Sequence, residues 1–315
     1  METFGLNAHP NLAKTITKSA SKQTYYTILL FADHERVELA YRAYAYFRWV
    51  DDILDGKTIT GVERTEFIDR QQKLLHGCER GEVPFEISSE ESMLVDLIRG
   101  DATTHSGLQS YIHSMLDVMI FDAGRRGRLI TQAELNEYTH NLATAVTEAM
   151  HYFIGQSCYS PRDESRYLAV SAAHITHMLR DTWDDIHAGY FNIPQEVLDG
   201  GHIRPEDVTS FAYKSWVRNR VQLARKYFKA GRNYLSKVEN WRCRLAGYAY
   251  IARFDDVLKM IERDGYVLRP SYPERTVTET LLIATRVLLA SSRHQRIDPR
   301  ESAAIRPFPN TLEKP

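Results

Sequence analysis

The chain has 315 residues, enough to bury a large core as one domain. Its 40 basic and 41 acidic side chains nearly cancel, which excludes a generic nucleic-acid binder or a polybasic membrane anchor. Cys78, Cys158 and Cys243 share no ligand-like spacing, so free thiols in a reducing compartment are expected rather than disulfides.

From the N-terminus, METFGLNAHPNLAKTITKSASK lacks the continuous apolar stretch of a signal peptide, and residues 1–20 read as a tail. No later stretch offers the ~18 uninterrupted apolar residues of a bilayer span, so a soluble, cytoplasmic protein is expected, with at most peripheral membrane contact. Helix-period hydrophobicity then predicts an all-α, single-domain fold over 21–295, with helices at 21–54, 63–80, 90–104, 107–126, 132–155, 162–190, 211–236, 240–264 and 277–292. Thr131 with Glu134, and Ser160-Pro161 with Asp163, look like N-terminal caps. Gly189 through Pro194 ends the sixth helix, and 296–315 reads as a second tail.

Two helices carry the chemistry. Along RWVDDILD and the turn before it, Tyr44, Arg48, Asp51 and Asp55 recur at helical spacing, with Asp52 beside them. In HITHMLRDTWDD, the residues His174, His177, Asp181 and the pair Asp184/Asp185 share one stripe, with Arg180 adjacent. Carboxylates crowded on a stripe repel one another unless a cation sits between them, and aspartate oxygens suit Mg²⁺. Ions held this way would grip a polyphosphate, with Arg48 and Arg180 adding charge-assisted hydrogen bonds. If that diphosphate is bonded to an allylic carbon, neutralising it lets the C–O bond ionise, and the aromatic faces of AYRAYAYFRW could stabilise the cation. One acidic run alone is more often a solvated face. Two matched runs, each with an Asp-Asp pair preceded by an arginine, favour function, although core packing remains the better reading of the tyrosines alone. The two histidines lack the partners of a zinc site, and DDILD does not fit a di-iron bundle.

YRAYAYFRWVDDILDG and LRDTWDD, with weaker likeness at Thr24–Tyr26, ELNEYTHNLATAV and Gly265–Val267, resemble the motifs of the squalene/phytoene synthase family. The resemblance implies an isoprenoid-synthase helical bundle around a central cavity, with two or three Mg²⁺ ions at Asp51, Asp52, Asp55, Asp181, Asp184 and Asp185. It implies diphosphate contacts at Arg48 and Arg180, and substrate contacts at Tyr25, Tyr44, Tyr138, Val146, Thr147, Tyr190 and Phe254.

Departures from the family pattern redirect the expected reaction. His174 and His177 stand where the family has Gln and Asn, and Gly189-Tyr190-Phe191-Asn192-Ile193-Pro194 lacks an arginine and a tyrosine of the usual motif. Phe254 replaces a tyrosine, the following arginine is shifted to Arg269 or lost, and Val146-Thr147 replaces Val-Gly. Loss of groups that would anchor a second diphosphate points to the squalene-synthase-like branch that prenylates aromatic acceptors such as carbazole quinones. His177, with His174 beside it, is then expected to orient that acceptor or take its proton. Bulk at Thr147, Met150, His151 and Phe153 favours a dimethylallyl donor, without NADPH. The alternatives are head-to-head condensation of two prenyl diphosphates, terpene cyclisation, and a noncatalytic relative.

Overall fold

Side-chain caps define where many of the helices begin. Thr60 and Thr131 each close a reciprocal capping box with the glutamate three residues on, and Ser21, Ser106, Ser210 and Asn240 accept from backbone N–H groups of the first turn. The computed structural model describes residues 10–56, 58–101, 103, 105–273 and 287–289, which contain helices and no strand. The helices are α1 Pro10–Ala20, α2 Lys22–Phe31, α3 Val37–Leu54, α4 Gly61–Glu79, α5 Glu91–Arg99, α6 Gly107–Arg125, α7 Gln132–Phe153, α8 Ser165–Arg180, α9 Thr182–Ala188, α10 Gln195–Gly201, α11 Phe211–Lys237 and α12 Trp241–Arg263.

Helix α8 is the central element. Ala169, Val170, Ala172, Ala173, Ile175, Met178 and Leu179 are all buried, and α7, α11 and α12 pack around it. Small residues set the approach of α11: a Cβ on Gly231 would lie 2.6 Å from the Ala169 Cβ.

Three expectations about the elements change. The segment expected as a tail over 1–20 is helical from Pro10, with Ala13 and Thr17 buried where α1 packs on α3. The helix expected over 21–54 is broken between α2 and α3, because Asp33 is drawn out of helical pairing. Its amide donates to Phe153 O at 2.8 Å, its carboxylate accepts from the Gly155 amide at 2.8 Å, and Arg242 of α12 binds the same carboxylate. The helix expected over 162–190 starts at Ser165 and breaks at Asp181 (φ −96, ψ 8), where the Thr182 hydroxyl donates to Met178 O at 2.8 Å and takes up a carbonyl of the last turn. The cap expected at Ser160 does not form: Glu164 precedes α8 without a side-chain cap bond, Asp163 accepts from Ser165 N at 2.9 Å, and the Ser160 hydroxyl accepts from Arg166 at 2.9 Å.

The expected helix at 277–292 lies outside the described residues except for 287–289, and the tail at 296–315 lies wholly outside them. All three cysteines are free thiols. Among the described residues no helix is long and apolar enough to cross a membrane.

Candidate active site

Helix α3 buries Tyr41, Tyr46, Phe47 and Val50 and turns its acidic last turns toward one end of the bundle. Arg48 is held by its own helix, reaching Asp51 at 3.2 Å and bonding Asp52. The Asp51 carboxyl is raised to about 6 by burial, and the charges of Asp55, Asp122 and Asp52 outweigh the opposing pull of Arg48. Asp52 and Asp55 are exposed.

On the second side, Asp181 sits at the α8–α9 break. Burial works against its charge, yet Arg180, at 2.7 Å through Nη2, and His177, at 2.7 Å through Nε2, hold its carboxyl well below the ordinary range. Asp185 is raised to about 6 by burial and by Asp181, against the pull of Arg125, His177 and a 2.6 Å hydrogen bond from Asn192 Nδ2. Asp184 is exposed.

Three residues that sequence reasoning passed over join the two sides. Arg125, buried at the end of α6, donates through Nε to Asp122 Oδ1 at 2.6 Å and through Nη1 to Asn192 Oδ1 at 2.8 Å. Asn192 hands the chain on to Asp185, and the Tyr138 hydroxyl donates to Asp122 Oδ2 at 2.9 Å. The guanidinium lies 5.0 Å from the Tyr138 ring centre and 4.9 Å from that of Tyr190. The Tyr190 hydroxyl reaches across to Asp55 Oδ1 at 3.4 Å, so the loop after α9 touches the end of α3 directly. Burial raises the Asp122 carboxyl despite Arg125, and Asp55 adds to the rise. The two aspartate helices therefore meet at one end of the bundle, around a buried Asp122–Arg125 pair. Among the described residues no three His, Cys, Asp or Glu side chains already enclose a metal ion.

The histidines divide differently from expectation. His177 is exposed and committed to Asp181, with its ring 6.2 Å from that of Phe254. His174 is buried edge-on against Tyr138, ring centres 5.0 Å apart, and its Nε2 has no hydrogen-bond partner among the described residues. Burial, with His177, Arg125 and Arg220 nearby, pushes it down to about 3, so it is neutral at physiological pH.

Behind the acidic end lies an apolar cavity of about 390 Å³ whose wall includes Tyr44, Tyr111, Val146, Thr147, Met150 and Phe153. The Thr147 hydroxyl is buried and has no partner among the described residues. Of the expected substrate residues, Tyr44, Val146 and Thr147 line this cavity, whereas Tyr138 and Tyr190 belong to the charged network. Neither Tyr25 nor Phe254 lines the cavity: Phe254 packs on the wall residue Tyr250, centres 5.3 Å apart, while Tyr25 stacks on Tyr41, centres 5.2 Å apart. His151 does not line the cavity but stands behind a residue that does, its Nε2 2.8 Å from the Tyr234 hydroxyl. A wider polar groove of about 750 Å³ over Leu168, Ser171 and Ile175 contains none of the expected site residues.

Chloroplastic phytoene synthase of Daucus carota is 25% identical over 256 residues, 78% of this chain and 61% of that protein. Phytoene synthase 1 of Zea mays is 23% identical over 257 residues, 78% of this chain and 59% of that protein. The chain thus spans about three-fifths of the length of these relatives. Among solved structures, a dehydrosqualene synthase in complex with ligand superposes with a TM-score of 0.66 at 15% identity, covering 87% of this chain and 93% of its own. A squalene synthase from Alicyclobacillus acidocaldarius gives 0.64 at 18% identity, covering 82% and 95% respectively. These likenesses establish the all-α isoprenoid-synthase fold. A family model for squalene/phytoene synthase matches residues 17–279, a span that holds α3, α6, α7, α8 and α9 and hence every residue of the charged network. The chain belongs to the squalene/phytoene synthase family.

Proposed function

We propose that the chain is a prenyltransferase that ionises one short allylic diphosphate, with dimethylallyl diphosphate as the preferred donor, and joins the prenyl cation to an electron-rich aromatic acceptor, a carbazole quinone being one candidate. The observation that carries the ionising half is the pair of raised carboxyls, Asp51 and Asp185, on two helices that meet around Asp122–Arg125. Such an excess of half-buried carboxylate favours a cation beside it, and Mg²⁺ would suit, because it takes one or two protein carboxylates together with substrate phosphate oxygens. Asp51, Asp55, Asp181 and Asp185 would hold two or three ions, with Asp52 and Asp184 beside them, and bound Mg²⁺ neutralises charge on the departing diphosphate.

The protein supplies the rest. Arg48 and Arg180 offer guanidinium donors to the diphosphate oxygens. Tyr44, Tyr111 and Phe153 line the cavity, where aromatic rings would stabilise a cation, and its apolar wall would keep water from quenching it. In the transfer the allylic C–O bond breaks with its electron pair leaving on diphosphate, a ring carbon forms the new C–C bond, and that carbon loses a proton as aromaticity returns. Neutral His174, with an unpaired ring nitrogen, would orient the acceptor by a hydrogen bond, and because burial disfavours its protonated form the departing diphosphate is left as the base that takes the proton. The sequence is redox-neutral and calls for no NADPH. Thr147 supports a polar acceptor, because a buried hydroxyl without a partner favours a ligand that can hydrogen-bond over a pure hydrocarbon.

Head-to-head condensation of two prenyl diphosphates is the second reading, favoured by the similarity to phytoene synthases. Incubation in Mg²⁺ with dimethylallyl, geranyl, farnesyl or geranylgeranyl diphosphate, with and without a hydroxylated carbazole, separates the two. The first reading expects prenylated carbazole from the short donor and no product without acceptor. An apolar dimer of a long donor formed without acceptor establishes the second and overturns the first. A hydrocarbon or alcohol from one donor alone would mean cyclisation, and no binding of any donor would mean a noncatalytic relative.

A further inference from the structure

The polar groove of about 750 Å³ runs between α7, α8 and α11 and is separate from the apolar cavity, the two sharing Arg166 alone among their lining residues. Helix α8 lies antiparallel to both neighbours. Arg166, in its first turn, bonds Glu148 late in α7 and Tyr234 late in α11, whereas His174 further along meets Tyr138 early in α7, and Ala169 meets Gly231. The two ends of the groove therefore differ in charge. At the start of α8 the carboxylates of Glu148, Asp163 and Glu164 lie with Arg162 and Arg166. The other end is at Ile175, about 15 Å along the axis, where Asn136, Thr139 and Arg220 line the groove and no carboxylate does among the described residues.

Arg220 sets this end apart. Arg125, Arg166 and Arg225, sheltered like it, each hold a carboxylate. Arg220 is half-buried yet makes no hydrogen bond or ion pair among the described residues. Burial pushes its guanidinium below the ordinary arginine range, and Tyr227 acts the other way. Helix α11 carries many basic side chains and no acidic one, so it offers no countercharge of its own. A sheltered guanidinium is costly to leave unpaired, and its planar fork suits two oxygens of a carboxylate or phosphate. Nearby, the Asn136 side chain accepts from Gln132 Nε2 at 2.8 Å through Oδ1, which leaves its own Nδ2 protons for a ligand. Leu223 and Tyr227 follow Arg220 at helical spacing along the wall, both half-buried, with Leu168 of α8 beside them in the lining.

We propose that this groove binds a small organic oxyanion, its carboxylate or phosphate on Arg220 and its aromatic body along Leu223 and Tyr227. Concave shelter with one open guanidinium favours a small molecule over a flat partner surface. The site needs neither Mg²⁺ nor an allylic donor, so it stands whichever reaction the cavity performs.

Isothermal titration calorimetry on the 315-residue chain without Mg²⁺ tests this, with phenyl phosphate and benzoate as the anions and benzyl alcohol as the uncharged probe. At least one anion should bind, the tighter of the two naming the headgroup, and benzyl alcohol should not. Arg220→Gln should weaken anion binding at least about tenfold, and Arg220→Lys should keep part of it, since the charge remains while the fork is lost. The melting temperature of Arg220→Gln without ligand should equal or exceed the native value, because no pair is broken. Arg48→Gln, at the acidic end of the bundle, should leave anion binding unchanged. The proposal is overturned if neither anion binds, if benzyl alcohol binds as well as they do, or if Arg220→Gln binds like the native protein. It is equally overturned if Arg220→Gln melts lower, which would make the arginine a structural partner, or if Arg48→Gln abolishes binding, which would place the anion at the diphosphate end.

Discussion

Asp51 and Asp185 are held where their charge is disfavoured, each raised to about 6 by burial and like-charged neighbours. Asp51→Asn or Asp185→Asn should therefore cost at least a hundredfold in product formation while leaving the melting temperature unchanged or slightly higher, which activity assays and thermal melts on the same samples would check. His151 gives the opposite kind of signal. Burial first, then Arg166 and Arg162, push it down to about 3 from 6.5, so the unfolded chain takes up a proton that the fold refuses. The stability from keeping it neutral is complete above pH 6.5 and is lost as pH falls from there toward 3, by about 2 kcal/mol at pH 5. Urea titrations at pH 7 and 5 should show that loss, and His151→Gln should flatten it. The aspartates were legible in the sequence because helical spacing alone puts them on one stripe. Asp122, Arg125 and Asn192 were not, since none belongs to an acidic run and the three matter only once α6 and the loop after α9 come together. The one trace is the Asp122-x-x-Arg125 spacing, which permits an ion pair within a helix.

Between elements, the same arginine decides how α6 meets the loop that follows α9. Removing it as Arg125→Leu leaves Asp122 buried without its countercharge and Asn192 without its donor, at a cost of about 3 kcal/mol or more in urea unfolding. The contact of α8 with α11 is equally specific. Gly231→Ala places a methyl 2.6 Å from the Ala169 Cβ, so the helices must part, and a loss of about 1–3 kcal/mol is expected by the same measurement. Most of the longer helices were readable from apolar periodicity, though α1 and α10 were not, and the capping box at Thr131 and Glu134 was readable from four letters. The breaks at Asp33 and Asp181 were not. Local pattern runs through both: the first is made by distant partners from α7 and α12 at Asp33, and the second falls at Asp181, whose carboxylate is held by Arg180 and His177.

At the scale of the molecule, the all-α architecture follows from periodicity without any strand signal, and the segment misjudged as a tail shows where composition misleads. Lysines among the few apolar residues of α1 mask a face, Ala13 and Thr17, that only α3 completes. The cavity yields a prediction that belongs to this scale. Thr147→Gly combined with Met150→Ala should enlarge it and shift the preferred donor toward geranyl or farnesyl diphosphate, read as a change in relative kcat/KM across the donor series. Helix α7 runs the length of this arrangement. Tyr138, near its start, touches the charged network, Thr147 follows about 13 Å further along the axis, and Phe153 about 22 Å. On the proposed function the helix would serve as a graduated rod beside the prenyl tail, its zero mark at the phosphate end. Editing one turn of its far half should then reset the permitted length in a fixed increment, with the ionising machinery at the origin left as it was.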